Sequence, residues 1–240
     1  MRVEIWSDVV CPWCYIGKRR FEAALAAFPH RDEVEVVWRS FELDPRAPRE
    51  RPGDRLEYLA AKYGTTRAEA EAMEARVTAA AAEEGLELRL DLARGGNSLD
   101  AHRLLHLAAE HGLQDVLKER FLRAYFIEGE PIGDSAALER LAVDAGLPAA
   151  EVADALRSDR YREAVQADER QARAYGANGV PFFVFDSTYG VSGAQAPEVF
   201  ANVLERAWSE AEGSIDLGAG SGEDAACDDG ACAVPNSRTV

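Results

Sequence analysis

Hydrophobic and polar residues alternate in two stretches near the start of the chain, with a helical pattern between them. Residues 3–7 (Val-Glu-Ile-Trp-Ser) and 34–43 (Val-Glu-Val-Val-Trp-Arg-Ser-Phe-Glu-Leu) are rich in β-branched and aromatic side chains, which is typical of strands. Residues 15–25 carry apolar side chains at helical spacing. Strand, helix and strand in this order predict a βαβ unit, with parallel strands and a right-handed crossover.

A long, almost purely helical stretch follows. Residues 44–53 contain three prolines and predict a loop, and residues 87–92 alternate strictly and predict a short extended segment. Asn97 and Ser98 precede one of the predicted helices and are expected to cap it, because their side chains accept hydrogen bonds from the first N–H groups. The predicted helices cover residues 55–63, 67–84, 99–111, 114–127, 135–145, 149–158 and 161–175.

The strand pattern returns near the end of the chain. Residues 179–186 form an apolar run after a Gly-Val-Pro turn, and residues 189–192 predict a second short strand, so we expect a hairpin with mostly buried strands. A last helix is predicted to about residue 212. From residue 213 on, the composition changes to Gly, Ser, Asp, Glu and Ala without a period, which is typical of a flexible acidic tail.

The charge and the cysteine content exclude several classes of function. The chain has 240 residues, a formal net charge of −16 and a pI near 4.7, which argues against nucleic acid and anionic membranes as partners. There is no apolar run of about 18 residues, so no membrane span is predicted. The strand pattern begins directly after Met1 and Arg2, which favours a cytoplasmic protein. Four cysteines are too few for a disulfide scaffold and favour catalysis or metal binding.

Cys11-Pro12-Trp13-Cys14 lies at the predicted junction of the first strand and the first helix. At a helix N-terminus, unpaired N–H groups and the helix dipole stabilise a Cys11 thiolate, the nucleophile of disulfide exchange. Cys14 follows one helical turn later and can close a disulfide onto Cys11, and Pro12 suits the first helical position. The motif predicts thiol–disulfide chemistry, with a structural metal site or two ordinary buried thiols as alternatives.

Cys227 and Cys232 form a second pair in the acidic tail. We interpret them as a small-loop disulfide that exchanges with Cys11 and Cys14, an intramolecular relay at high effective concentration. The acidic neighbours should raise the pKa of both thiols, which makes them poor attacking groups at neutral pH. A zinc site built from all four cysteines and an inert tail are the alternatives.

Three motifs and the order of the elements resemble the DsbA family. The motifs are residues 7–17 (Ser-Asp-Val-Val-Cys-Pro-Trp-Cys-Tyr-Ile-Gly), 97–104 (Asn-Ser-Leu-Asp-Ala-His-Arg-Leu) and 179–183 (Gly-Val-Pro-Phe-Phe). They look most like the cytoplasmic FrnE-like branch, which shares its fold with hydroxychromene-carboxylate isomerases and kappa-class glutathione transferases.

The resemblance covers roughly residues 1–212 and implies an α/β thioredoxin fold with a large all-helical insertion domain. Residues 1–50 and 176–212 would form the thioredoxin-fold domain, residues 51–175 the insertion, and residues 213–240 the tail with its Cys-x4-Cys pair. FrnE-like proteins include members with such a second pair, which favours the relay.

The resemblance also implies a substrate site beside the cysteines. Pro181 would follow a cis peptide bond and expose the Val180 backbone beside Cys11, so that a substrate strand pairs there while its sulfur is attacked. Pro12 and Trp13 would also contact substrate, and Trp13 holds the position that tunes redox poise in this family. From the sequence alone, Val180 and Pro181 could equally form only a rigid turn.

Asn97 and His102 belong to the motif that lines the cleft in the isomerase branch. His102 would move protons between thiols, because imidazole titrates near neutral pH. The alternative is that Asn97 only caps the helix and His102 packs against it. His102 and His106 are spaced as metal ligands can be, but no third ligand is evident, so no metal site is predicted.

The expected function is that of a thiol–disulfide oxidoreductase or isomerase acting on protein or small thiol and disulfide substrates. Cys11 would attack, Cys14 would resolve the mixed disulfide, and no cofactor would be needed, with glutathione as a possible co-substrate. The related isomerases and transferases work with glutathione and typically carry serine at the first cysteine position, so two cysteines favour redox exchange. A glutathione-dependent isomerase or transferase and a zinc-binding interaction module remain the alternatives.

Overall fold

A four-stranded mixed sheet forms the centre of the computed structural model, which describes residues 1–51 and 53–215. The strands are β1 (Arg2–Ser7), β2 (Glu35–Ser40), β3 (Phe182–Phe185) and β4 (Tyr189–Ser192), in the order β2-β1-β3-β4. β1 runs parallel to β2 and antiparallel to β3, which pairs antiparallel with β4. Ile5 of β1 lies beside Trp38 on one side and Phe183 on the other.

The helices of the described residues fall into three groups along the chain. α1 (Pro12–Ala27) joins β1 to β2, and α9 (Pro197–Ile215) follows β4. The helices between β2 and β3 are α2 (Arg55–Tyr63), α3 (Arg67–Glu83), α4 (Leu99–Glu110), α5 (Gln114–Arg123), α6 (Ser135–Asp144), α7 (Ala149–Arg157) and α8 (Arg162–Ala174). None of the helices in the described part of the chain is long and apolar enough to cross a membrane.

One face of the sheet packs against α1 and α9. Val3 and Ile5 point to this face because side chains alternate along a strand, and they share a core with Phe21 of α1 and Phe200 of α9. The ring centroid of Phe21 lies 5.6 Å from that of Phe183 and 5.8 Å from that of Phe200. Trp6 points to the opposite face, where its indole Nε1 donates to the backbone oxygen of Asp168 on α8 over 2.8 Å.

A second and larger core lies among the helices between β2 and β3. It also contains Val9, Tyr15 and Ile16, which flank the Cys-Pro-Trp-Cys motif. Local capping defines several helix starts, as when Asp54 accepts from two N–H groups of α2 and Thr66 and Glu69 form a capping box at α3. The motif therefore sits where the two cores meet.

A loop after β2 passes closely over two glycines of the helical region, Gly96 and Gly133. A Cβ atom at Gly96 would lie 2.2 Å from the carbonyl oxygen of Arg49, and one at Gly133 would lie 1.6 Å from it. No side chain fits at these distances, so the close approach requires glycine at both positions. Arg51 adds a backbone hydrogen bond to Gly95 over 2.8 Å.

The structure confirms the predicted fold class, including the parallel βαβ unit and the late hairpin. All seven helices predicted between residues 55 and 175 are present, and six of them begin and end within one residue of the prediction. The helix predicted at 114–127 instead ends at Arg123 and continues as a π-helical turn, Ala124–Glu128. A short 3-10 turn, Arg31–Glu33, was not predicted.

Residues 87–92 are not a strand. Leu86, Leu88 and Leu90 are buried while Glu87 and Arg89 are exposed, so the alternating pattern reported burial correctly. Among the described residues, this segment makes one backbone bond across the fold, from Arg89 N to the Phe126 oxygen, over 2.7 Å. Cys227, Cys232 and nearly all of the predicted tail lie outside the described residues.

Candidate active site

The two cysteines of the motif lie at the start of α1. Cys11 is the residue before the helix and has extended backbone angles (φ −97°, ψ 113°), and Pro12 takes the first helical position. The backbone N–H of Cys14 donates to the Cys11 oxygen over 3.1 Å. Both cysteines are reduced and buried, with Cys11 4% exposed and Cys14 1% exposed.

The two thiols have opposite pKa shifts. The hydrogen bond from the Cys14 thiol lowers the pKa of Cys11, and the N–H groups of Cys14 and Trp13 add to this effect, while burial and the charge of Asp8 oppose it. Burial raises the pKa of Cys14 well above its ordinary value, and the bond to Cys11 raises it further. Because the thiolate is the nucleophile, this asymmetry suits Cys11 for attack and Cys14 for the later, resolving step.

The loop before β3 forms one wall of the site. The Val180–Pro181 peptide bond is cis, and the Cys11 thiol donates to the Val180 oxygen over 3.6 Å. The Pro181 oxygen accepts from Gly193 N over 2.8 Å, which ties the loop to the end of β4. On the helix side, a Cβ atom at Gly17 would lie only 2.9 Å from the Pro181 ring. The structure therefore brings Val180 and Pro181 directly against the motif.

A cavity of about 860 Å³ opens in front of Cys11. Trp13, which is 43% exposed, stands at its edge with Pro12 and Val180. The opposite wall comes from the helical core and the loop after β2, and includes Arg51, Tyr58, Tyr63, Met73, Val77 and Tyr125. Arg51 stacks on Tyr58, with the guanidinium carbon 3.7 Å from the ring centroid. The cavity is wide enough for a small molecule or for a protruding peptide segment.

Asp8 is a fully buried carboxylate beneath the motif. Its oxygens accept from Leu43 N over 2.8 Å and from Val10 N over 3.4 Å, and Oδ1 lies 3.3 Å from His102 Nε2. Burial opposes ionisation, but the bonds from His102, Leu43 and Ser98 hold the pKa of Asp8 below its ordinary value. Asp8 therefore places a negative charge under the site, and this charge works against the Cys11 thiolate.

His102 and Asn97 lie behind the cavity wall. His102 is fully buried beside Asp8, and its Nδ1 has no hydrogen-bond partner among the described residues. Asn97 Oδ1 accepts from Leu99 N over 2.9 Å at the start of α4, while the expected second cap, Ser98, makes no capping bond. Neither Asn97 nor His102 lines the cavity, whereas Ser98 does.

Glu42 lies close to Asn97, and sequence analysis did not single it out. Burial raises the pKa of the Glu42 carboxyl to about 7, and the charges of Glu169 and Asp8 add to the shift. The Asn97 amide partly offsets it. One carboxyl oxygen, Oε1, has no hydrogen-bond partner within the described part of the chain. Two carboxyl groups, Asp8 and Glu42, thus share this side of the site and repel one another when both are charged.

Lys118 of α5 is the second group that sequence analysis missed. It is fully buried, and its Nζ has no hydrogen-bond partner among the residues that the structure describes. The amine lies 5.4 Å from the ring centroid of Trp38. Burial lowers its pKa to about 8, although negative charge on Cys14, Asp8 and Cys11 favours the protonated form. Its helical spacing with Phe121 and Leu122 was the signal that this lysine faces the core.

No group of three or more His, Cys, Asp or Glu side chains among residues 1–51 and 53–215 is arranged to hold a metal ion. The zinc site considered from the sequence needs Cys227 and Cys232, which lie outside the described residues. His102 and His106 bond to different partners, since His102 contacts Asp8 and His106 contacts Ser40 and Asp168.

Comparison with known proteins gives consistent matches over nearly the whole chain. The sequence model of the DSBA-like thioredoxin domain matches residues 2–205. The crystal structure of a probable DsbA oxidoreductase from Streptomyces coelicolor is 48% identical, covers 98% of this chain and 100% of its own, and superposes with a TM-score of 0.83. The uncharacterized protein YwbO of Bacillus subtilis is 27% identical over 210 residues, which are 85% of this chain and 96% of YwbO.

A more distant structure shares the fold. The cytosolic disulfide reductase DsbM from Pseudomonas aeruginosa, solved with GSH, is 19% identical and covers 87% of this chain and 100% of its own. Its TM-score is 0.62. At this level of identity the likeness shows a common architecture.

Proposed function

The chain belongs to the DSBA-like thioredoxin domain family, and from this premise we propose that it is a thiol–disulfide oxidoreductase working through Cys11 and Cys14. The observation that carries the proposal is the opposite shift of the two thiol pKa values beside an open cavity. A pair of merely structural thiols has no need of a lowered pKa at the thiol that borders a cavity.

The proposed reaction moves two electrons in two steps. The Cys11 thiolate attacks one sulfur of a substrate disulfide, the S–S bond breaks, and the other sulfur leaves as a thiolate. Cys14 then loses its proton and attacks the Cys11 sulfur of the mixed disulfide. The products are a Cys11–Cys14 disulfide and a second substrate thiolate, so the substrate is reduced and the cysteine pair is oxidised. Run in reverse, the same steps oxidise a dithiol substrate.

Val180, Pro181, Pro12 and Trp13 are proposed to contact the substrate. Their support is position, because all four lie around Cys11 and all but Pro181 line the cavity. For Asn97 and His102 we propose an indirect role, since Asn97 bonds to the start of α4 and His102 is buried against Asp8. They would shape the site from behind without touching the substrate.

The substrate is proposed to be a protein or small-molecule thiol or disulfide, with no cofactor beyond the cysteine pair. Glutathione as a co-substrate is supported by the cavity volume and by the name of the DsbM structure with GSH. A cytoplasmic location is supported by the low cysteine content and by the description of DsbM as cytosolic.

Two further parts of the proposal concern the organisation of the chain. Residues 1–50 and 176–212 are proposed as the thioredoxin-fold domain, with residues 51–175 as an insertion that supplies the far wall of the cavity. Cys227 and Cys232 are proposed to relay electrons to or from the main pair. Their support is their spacing in a chain that has only four cysteines.

The first experiment is to measure the redox equilibrium of the Cys11–Cys14 pair against glutathione. The full chain should titrate as a two-electron couple, and removal of residues 216–240 should shift the curve if the tail takes part. Cys11→Ser should abolish exchange, whereas Cys14→Ser should accumulate a mixed disulfide. Full exchange activity of the Cys11→Ser protein would contradict the proposed mechanism.

The same set of proteins separates the rival functions. A glutathione-dependent isomerase or transferase would keep its activity in Cys11→Ser when glutathione is supplied. A zinc-binding module would carry stoichiometric zinc after purification and would show no exchange with glutathione.

A further inference from the structure

Lys118 combines three properties that rarely occur together. Its side chain is fully buried, its amine has no hydrogen-bond acceptor among the described residues, and it interacts electrostatically with both cysteines of the motif. A buried amine without a partner costs stability, so its presence calls for an explanation. Lys18, the other buried lysine near Trp38, is different because it has ion pairs with Glu22, Asp115 and Glu119.

A second unpartnered polar group lies on the same side of the sheet. Ser7 is fully buried and its hydroxyl has no hydrogen-bond partner within the described part of the chain. Ser7 follows Ile5 by two residues, so both side chains point to the same face. Ile5 is paired with Trp38, whose ring centroid lies 5.4 Å from the Lys118 amine. The Ser7 hydroxyl and the Lys118 amine, both without a hydrogen-bond partner among the described residues, therefore lie on the side of the sheet that α1 covers.

The proposed reaction leaves one proton unassigned. Cys14 must lose its proton before it can attack the mixed disulfide, yet burial strongly disfavours its thiolate. Asp8 lies nearby, but its hydrogen bonds lower its pKa, which makes its carboxylate a weak base for a thiol proton. His102 bonds to Asp8 through Nε2, and its unpartnered Nδ1 does not place it among the groups that act on Cys14. Among the described groups that act electrostatically on Cys14, Lys118 is the one that favours its thiolate by charge.

We propose that Lys118 accepts the proton of Cys14 during the resolving step, an inference that rests on the proposed oxidoreductase function. The neutral amine takes the proton from the Cys14 thiol, giving an ammonium and a thiolate in place of two neutral groups. The thiolate then attacks Cys11, and the second substrate sulfur leaves with the electron pair. When the cysteine pair is reduced again, the Lys118 ammonium returns the proton to Cys14.

The proposed path of the proton includes one bridging water. Lys118 Nζ makes no hydrogen bond to either sulfur among the described residues, and transfer through one water is a common arrangement for a general base. A buried water needs two or more polar partners, and the groups proposed to hold this one are the Lys118 amine, the Cys14 thiol and the unpartnered Ser7 hydroxyl.

The surrounding charges allow the amine to work near neutral pH. Cys14 and Cys11 at the start of α1 and Asp8 before it favour the ammonium, whereas burial and Lys18 of the same helix oppose it. Trp38 of β2 adds a polarisable ring without a charge. With a pKa of about 8, about one Lys118 side chain in ten is neutral at pH 7 and able to accept a proton.

The test follows the mixed disulfide in time after the reduced full-length protein is mixed with oxidised glutathione. Samples are quenched in acid and the mixed disulfide is quantified by mass spectrometry between pH 6 and pH 10. In Lys118→Met we expect the resolving step to slow about 100-fold at pH 7, the order of magnitude of a lost general base. Its rate should then climb steeply with pH, as Cys14 ionises without help.

The matched control is Lys18→Met, which removes a buried lysine of the neighbouring helix that has its own carboxylate partners. It should lower the stability of the fold and keep the rate of the resolving step at pH 7 within a few-fold of the wild type, with the pH profile moved slightly to higher pH because Lys18 no longer opposes the Lys118 ammonium. An unchanged rate and pH profile in Lys118→Met would overturn the inference about Lys118 alone. Failure of the wild-type protein to form any mixed disulfide would instead overturn the proposed function.

A measurement on the wild-type chain covers the case in which Lys118→Met does not fold. The side-chain amine of Lys118 can be titrated by NMR in the reduced and the oxidised protein. The Lys118 amine of the reduced form should titrate at the higher pH, because the ionised Cys11 favours the ammonium and a disulfide carries no charge. Identical titration curves in the two forms would contradict the proposal.

Discussion

Cys11 and Cys14 are identical side chains one helical turn apart, yet their surroundings drive their pKa values apart. The pKa of Cys11 is lowered most by the hydrogen bond from the Cys14 thiol, and the backbone N–H groups of Cys14 and Trp13 add to this effect. The pKa of Cys14 is raised most by burial and then by its bond to Cys11, and a backbone hydrogen bond with Asp8 offsets only part of the shift. The difference between the thiols therefore originates in their bond to each other and in the deeper position of Cys14, with the start of α1 contributing the backbone donors.

We predict that a thiol-alkylating reagent modifies Cys11 in preference to Cys14. Because the pKa of Cys11 is lowered, its thiolate forms at a lower pH than that of an ordinary cysteine, while the Cys14 thiol stays protonated. Peptide mapping after a short exposure of the reduced protein to iodoacetamide, repeated from pH 5 to pH 9, measures this order. Equal labelling of both cysteines at neutral pH would contradict it.

Glu42 offers a second pH-dependent prediction. Its pKa of about 7 lies above the ordinary value, because burial and the charges of Glu169 and Asp8 disfavour the carboxylate. The folded state then binds the proton more tightly than the unfolded chain, so Glu42 lowers stability progressively as the pH rises from about 4.5 to about 7. The half-buried side chain is partly screened by solvent, which reduces the size of the effect.

Glu42→Gln should therefore stabilise the protein at pH 8 by about 1 kcal/mol and have little effect at pH 4.5. Urea unfolding of both proteins at several pH values measures the difference in the free energy of unfolding. A difference that is constant across this range would rule out titration of Glu42 as its cause.

The residues that sequence reasoning identified and those that it missed differ in what makes them important. Cys11, Cys14 and Pro12 are recognised from their spacing and from the neighbouring strand and helix. Lys118 and Glu42 matter because distant parts of the chain bury them. The helical spacing of Lys118 with Phe121 and Leu122 indicates that it faces the core, but the sequence does not show that its amine lacks a hydrogen-bond partner among the described residues. Their roles became visible only when their unpartnered atoms could be located.

At the level of elements, α1 and the loop before β3 are fitted to each other through Gly17. The first carbon of any side chain at this position would come within 2.9 Å of the Pro181 ring, a contact too close to keep without movement. Glycine inside a helix costs up to about 1 kcal/mol relative to alanine. The close approach of helix and loop explains why glycine stands there.

Gly17→Ala should lower the exchange rate, because the alanine methyl pushes Pro181 away from Cys11. Its thermal stability should fall or stay level instead of gaining the roughly 1 kcal/mol that helix propensity alone predicts. The matched control is Gly179→Ala, where an added Cβ meets no atom within 4 Å, and its melting temperature should not change. A more stable Gly17→Ala protein with full activity would show that the contact is unimportant.

Element boundaries were predictable wherever local signals set them. Asp54, Thr66 and Asp134 cap their helices through their own side chains, and such residues can be read from a sequence. The π-helical turn at Ala124–Glu128 has no comparable local signal. The segment from Leu86 to Leu90 shows the limit of periodicity, because alternation predicts which side chains are buried but not whether a partner strand is present.

At the scale of the whole molecule, the thiol pair links the redox state to stability. In the reduced protein, the lowered pKa of Cys11 means that its thiol is ionised in the folded chain at pH values where it is still protonated in the unfolded chain. The resulting stabilisation of the fold is fully present above the unfolded-state pKa of about 8.5, and it is lost as the pH falls through the folded-state pKa. Cys14 contributes little below about pH 7.5, because its thiol is protonated in both states there, and at higher pH its raised pKa opposes the gain.

The reduced form should therefore gain stability relative to the oxidised form as the pH rises from 6 to about 7.5. Urea unfolding of both forms, each held in its redox state throughout, gives the two free energies at each pH. The disulfide also restricts the unfolded chain, but that effect is independent of pH, so the slope and not the offset is the decisive quantity. A difference between the two free energies of unfolding that does not change with pH would contradict the lowered pKa of Cys11.

The position of β3 in the sheet has a consequence for how the protein is made. β1 ends at Ser7, but its neighbour β3 begins at Phe182, and at about 5–20 residues per second a ribosome needs roughly 9–35 s to bridge that distance. During this time one edge of β1 is open, and open edges recruit other strands. The reactive thiols are synthesised among the first residues, and the Val180–Pro181 wall that shelters them among the last, so each new chain passes through a period in which its cysteines are present without their cover.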